Sequence, residues 1–143
     1  MNRTSLRNGV RATALWLWYW VPPLLWMAII FYLSSKPSLP QAPGPWLDDL
    51  LKKLSHVAVY TLLYLFLLRA FRRTRFAGRA PLLALQATAA YGLSDELHQS
   101  FVPGRHANWY DVAIDVAVPL LLWGLWRSQR RGILRPGDKD LTE

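Results

Sequence analysis

Between Lys52 and Asp115 the chain gathers the side chains that can move a proton or grip a charge: His56, Asp95, Glu96, Asp111 and Asp115, with Lys52, Lys53, Tyr60, Gln99 and Arg105 among them. Neighbours on one face of a helix stand three or four residues apart. Lys52, His56 and Tyr60 therefore form one stripe, Asp95 and Gln99 a second with His98 beside it, and Asp111 and Asp115 a third. Carboxylates with a histidine suffice for general acid and base work when burial moves a pKa toward neutrality. On that chemistry His56, Asp95, Glu96, Asp111 and Asp115 are candidate catalytic residues. Lys52, Lys53, Tyr60, Gln99 and Arg105 are candidate substrate-binding residues, the planar guanidinium of Arg105 being suited to fork onto a carboxylate or a phosphate.

Other chemistries find less support. Neither H-E-x-x-H nor paired cysteines occur, so no metal or other cofactor is expected. Ser55 and Ser94 lie near histidines, but no G-x-S-x-G elbow presents a nucleophile. The chain has no cysteine, which excludes disulfides, thiol catalysis and thiolate metal sites.

The elements that must position these residues are four apolar blocks within 143 residues of 52% hydrophobic content, enough for one domain spanning 1–143. A bilayer core of about 30 Å needs about 20 helical residues per crossing, and helices over about 14–33, 49–68, 80–99 and 107–126 meet that length. The expected fold is all-α, an integral membrane four-helix bundle in the cell membrane. Pro22-Pro23 inside the first block predicts a kink rather than an end, since a bundle can satisfy the freed carbonyls. The proline-rich stretch 34–45 predicts an ordered connection lying over the polar cluster as a lid.

Orientation follows from the basic residues. Arg3, Arg7 and Arg11 precede the first helix, Arg69, Arg72, Arg73, Arg75 and Arg79 join the second to the third, and Arg127, Arg130, Arg131 and Arg135 follow the fourth. Cytoplasmic connections are enriched in such residues, so all three groups belong on one side and both termini are expected in the cytoplasm. Trp46, Trp109 and Tyr110 on the outer side, with Trp123 and Trp126 on the inner, would form interfacial belts. The net charge of +8 is thus distributed between and beside hydrophobic blocks rather than on one amphipathic face, which argues for membrane lipids and against nucleic acid as partner.

The same count sets the depth of the polar residues. Fifteen residues separate Arg79 from Asp95, fifteen separate Lys53 from Arg69, and eleven separate Asp115 from Arg127, each short of a full crossing. At about 1.5 Å per residue, His56, Asp95, Glu96, Asp111 and Asp115 fall on the order of 5 to 12 Å below the outer boundary. A charged residue at mid-membrane costs roughly 2.5 to 3.5 kcal/mol on insertion scales. Carboxylates at this depth must therefore be paired, protonated or wet.

At these residues the chain resembles the VanZ-like family, named for an accessory protein of resistance to the glycopeptide teicoplanin. The resemblance runs from about Phe31 to Leu121, opening with Phe31-Tyr32-Leu33-Ser34-Ser35 before Pro37 and continuing with Lys52-Lys53-x-x-His56-x-x-x-Tyr60. Its most specific part is Ser94-Asp95-Glu96-Leu97-His98-Gln99-Ser100-Phe101-Val102-Pro103-Gly104-Arg105, followed by Asp111 and Asp115. Val59 stands where many members have glutamate, and Val118 where a glycine usually follows the last acidic position. Membership implies a polytopic membrane protein of the cell envelope, with a possible link to glycopeptide resistance.

Three classes of function follow. One is an envelope enzyme doing acid-base chemistry on a lipid-linked or cell-wall precursor at the outer leaflet. Another is a non-catalytic binder or carrier of an anionic lipid or small envelope molecule. The third is a membrane protein whose buried ion pairs only fix helix packing.

Overall fold

The computed structural model describes residues 3–37, 43–105 and 109–133, with side chains not described at 3–12, 109, 111, 114, 115 and 130–133. These residues form four α-helices, α1 (Arg3–Ser34), α2 (Pro45–Phe71), α3 (Ala80–Gln99) and α4 (Trp109–Ile133), with a short 3-10 turn at Ala77–Arg79 ahead of α3. No strand occurs among the described residues.

α3 has the bounds its composition predicts, while the other helices run longer. α1 begins at Arg3 because residues 3–13 contain no proline to stop a helix. It also continues through Pro22 and Pro23, as expected of a proline pair that ends no membrane helix. α2 starts earlier than expected, at Pro45, where a proline at the first helical position loses no hydrogen bond. Gly44 ahead of it takes φ +91°, a conformation open to glycine. The middle of the expected lid, residues 38–42, lies outside the described residues.

α2 and α3 occupy the centre, and α1 and α4 each pack against both. The buried face of α3 is small: Ala80, Ala84, Thr88 and Gly92 recur every fourth residue, so its backbone lets a neighbour come close. Against it α2 buries Tyr60, Leu63, Tyr64 and Leu67, with Ile30 of α1 completing the core. Two side chains tie α1 to this centre. The Trp26 indole N–H donates to the Val59 carbonyl at 3.0 Å, and the Tyr91 hydroxyl donates to the Met27 carbonyl at 2.6 Å.

The outside of the bundle is apolar. On α1, Trp16, Trp18, Leu24, Leu25, Phe31 and Tyr32 are exposed. Among the described residues two helices are long and apolar enough to cross a membrane, Thr13–Ser34 and Pro45–Phe71, and most of each lies on the surface rather than inside. A soluble core helix would be covered. Exposed apolar area of this extent marks a surface made for lipid or for a partner.

Candidate functional site

At one end of the bundle the small-residue face of α3 turns polar: one helical turn past Gly92 come Asp95, Glu96 and Gln99, all buried. Asp95 is only 3% exposed. Its Oδ2 accepts three hydrogen bonds, from Ser34 Oγ at 2.8 Å, Gln99 Nε2 at 2.9 Å and Tyr60 Oη at 3.0 Å. Gln99 Nε2 also reaches Ser34 Oγ at 3.4 Å, so three helices close on one carboxylate oxygen. Bonds to a charged acceptor contribute about 1.5 to 3 kcal/mol each. The other oxygen, Oδ1, is buried with no hydrogen-bond partner among the described residues.

Beside Asp95 lies a cavity of about 110 Å³, walled by α1, α2, α3 and the turn after α3. Ser34, His56, Tyr60, Asp95, Gln99 and Arg105 form its polar lining. The His56 ring stacks on Tyr60, with centroids 6.1 Å apart and planes at 20°. Ile30, Leu33 and Val59 make the wall apolar, and Ser55 adds a hydroxyl whose proton goes to the Leu51 carbonyl at 2.7 Å.

The turn that places Arg105 is short. The Arg105 N–H donates to the Val102 carbonyl at 3.1 Å across Pro103 and Gly104, and Gly104 takes φ +82°. Proline followed by glycine with positive φ is the residue pattern of a type II turn. From it Arg105 Nε donates to the Lys36 carbonyl at 2.9 Å and Nη2 to the Leu33 carbonyl at 3.2 Å. Among the described residues Arg105 thus meets backbone carbonyls at the C-terminal end of α1, where a cation also suits the helix dipole. Arg105 also lines the cavity.

His98 belongs to the same end. Its ring stacks on Phe31 with centroids 4.4 Å apart, and Nε2 lies 3.0 Å from Ser35 Oγ. Ser35 Oγ also donates to the Phe31 carbonyl at 2.7 Å, so His98 Nε2 carries the hydrogen of the contact they share.

The structure therefore brings together five of the expected residues, His56, Tyr60, Asp95, Gln99 and Arg105. Glu96 is buried one position along α3, outside the lining. Lys52 and Lys53 are half exposed and form ion pairs with Asp48 and Asp49 one turn earlier on α2. Asp111 and Asp115 lie on α4, and their side chains fall outside the description. Among the described residues no three side chains of metal-ligating type converge on one point. Sequence reasoning missed Ser34 and Ser55. Ser34 sits within the Phe31-to-Pro37 stretch noted above, the one signal that could have drawn attention to it.

No curated protein and no solved structure matches the chain. The VanZ/LLP1 family model matches residues 19–130, a stretch that takes in every residue lining the cavity. That stretch is more than half of the chain and runs through parts of all four helices, and on this ground the chain belongs to the VanZ/LLP1 family.

Proposed function

We propose that this is a multi-pass protein of the cell membrane, crossing four times with both termini cytoplasmic. Its cavity holds the polar end of a lipid-linked or cell-wall-related molecule near the outer leaflet. The observation that carries the reading is Asp95, which lines the cavity: one carboxylate oxygen is held by three donors while the other is buried with no hydrogen-bond partner among the described residues. A buried acceptor left unsatisfied costs about 1 to 3 kcal/mol. A ligand hydroxyl, amide or ammonium donating to Oδ1 removes that cost. Arg105 adds positive charge at the same cavity, so the fitting group presents a donor and an anion together. Sites for whole small molecules measure about 300 to 1,000 Å³. A volume of about 110 Å³ takes a fragment of a headgroup, with the rest of the molecule in the bilayer.

His56 lines the same cavity and favours a second reading, in which it and Asp95 exchange a proton with the bound group as general acid and base. A link to glycopeptide resistance rests on the family name alone. The test is to purify wild type and Asp95→Asn in mild detergent and identify the compounds that accompany each by mass spectrometry. A polar lipid or wall precursor enriched on wild type and absent from the folded variant supports the site. Identical profiles sink it.

A further inference from the structure

The opposite end of the bundle carries a second groove, of about 290 Å³, lined by Leu15, Trp16, Tyr19, Trp20, Arg73 and Thr74. Fifteen residues along α1 separate Tyr19 from Ser34, which is about 22 Å of helix. The groove is therefore distinct from the Asp95 cavity. Its walls come from the exposed aromatic face of α1, where Trp16 stacks on Trp20 at 6.1 Å and Trp20 meets the edge of Phe71 at 5.3 Å.

Its rim is cationic. The Arg69 guanidinium lies 4.9 Å from the Tyr19 ring centre and 5.5 Å from that of Trp18, and the Arg73 guanidinium lies 5.1 Å from Tyr19. Two like charges four residues apart in sequence thus both lie over the Tyr19 ring. The first acidic residue of the chain is Asp48, and none occurs from residue 50 to residue 94, a span holding Arg69, Arg72, Arg73, Arg75 and Arg79. The ion pairs of Lys52 and Lys53 with Asp48 and Asp49 lie at the other end. Among the described residues no carboxylate is paired with Arg69 or Arg73, and an apolar wall adjoining such guanidinium groups suits an amphiphile with an anionic head.

We infer that the Tyr19–Arg69–Arg73 groove binds an anionic phospholipid, its phosphate on the two guanidinium groups and its upper acyl chain along Leu15, Trp16 and Trp20. Arginine clusters beside membrane helices recognise such headgroups through charge and forked hydrogen bonds. The inference rests on the membrane-spanning reading but not on the Asp95 cavity. An arginine near a lipid surface contributes on the order of a fivefold gain for anionic lipid, so two contribute about 25-fold.

The test uses the full chain in nanodiscs of phosphatidylcholine with a minor fraction of phosphatidylglycerol, and native mass spectrometry reads which lipid stays bound on release. Wild type should enrich phosphatidylglycerol, and Arg69→Gln with Arg73→Gln should lose about 25-fold of that preference. Should the double variant not fold, Arg73→Gln alone should lose about fivefold. Arg75→Gln with Arg79→Gln removes the same charge outside the groove and should keep most of the preference. An equal loss there, or an unchanged preference in the Arg69 and Arg73 variants, overturns the site. Displacement of the lipid by millimolar glycerol phosphate or by a short oligonucleotide overturns the lipid assignment in favour of a free phosphate compound or a nucleic acid. Asp95→Asn should leave the preference untouched, so the two ends are judged separately.

Discussion

Replacing Asp95 by asparagine separates what the carboxylate does for the fold from what it offers a ligand. The amide oxygen can take the place of Oδ2 and keep the donors from Ser34, Tyr60 and Gln99 at 2.8, 3.0 and 2.9 Å. Each bond then loses its charge assistance, about 1 to 1.5 kcal/mol apiece and about 3 to 4.5 kcal/mol in all. On the membrane-spanning reading the variant also no longer buries a charge, which returns about 2.5 to 3.5 kcal/mol. The two nearly cancel, and stability should move by about 1 kcal/mol. At the position of Oδ1, however, an acceptor becomes an amino donor. A ligand donor aimed there loses about 1 to 3 kcal/mol, a drop in affinity of roughly 5- to 150-fold. Tyr60→Phe keeps the buried ring but removes one charge-assisted bond to Asp95, so stability should fall by about 1.5 to 3 kcal/mol and by more than in Asp95→Asn. The assay pairs thermal unfolding in detergent with quantification of the copurifying compound for both variants. If Asp95→Asn unfolds far more easily and keeps the compound, the carboxylate is a packing element and the site reading fails.

Reporter fusions at Glu143 and near Gln41 should place the first in the cytoplasm and the second outside, and a C-terminus on the outer side would refute four crossings. Gly104→Ala should cost about 1 to 2 kcal/mol, because φ +82° disfavours a side chain and the added Cβ meets the Pro37 carbonyl at 3.4 Å; an unchanged melting temperature would show that the turn yields. Arg105→Lys keeps the charge but cannot reach the Leu33 and Lys36 carbonyls together, so it should cost about 1 to 2 kcal/mol and speed amide exchange at the end of α1. Exchange as slow as in wild type would mean that this clasp holds nothing.

The polar residues of α2 and α3 were legible because helical spacing and depth both converge on one point: His56, Tyr60, Asp95 and Gln99 meet as their stripes require. Lys52 shares the stripe of His56 and Tyr60, but the stripe begins one turn earlier, at Asp48, which pairs with the lysine before the site is reached. Ser34 was hidden for a different reason. A serine at the end of a helix reads as a boundary, and its bond to Asp95 spans 61 residues of sequence, a relation that only tertiary packing creates. Arg105 was recognised as a forked donor, yet residue type does not distinguish a carboxylate partner from two backbone carbonyls. The helix ends beyond the apolar blocks were missed because hydropathy marks only the apolar run, while hydrogen bonding along the backbone continues past it.

One construction principle connects the two ends of the molecule. The small residues of α3 bring its backbone close to α2 over Ala80, Ala84, Thr88 and Gly92, and close packing of this kind suits an apolar interior. At Asp95 the same face carries a carboxylate where a small side chain stood a turn before. It lines the cavity, and Ser34, Tyr60 and Gln99 hold it there. At the other end no such change occurs within the bundle. There the polarity lies outside, on Arg69 and Arg73 against the naked aromatic face of α1. An enclosed acceptor at one end and exposed cations at the other demand different molecules. A hydrogen-bond donor small enough for about 110 Å³ must enter the first, whereas any amphiphile with an anionic head can lie along the second. Substitutions at the two ends should therefore change the set of bound molecules independently, and a variant at one end that altered both would show that the helices transmit the change between them.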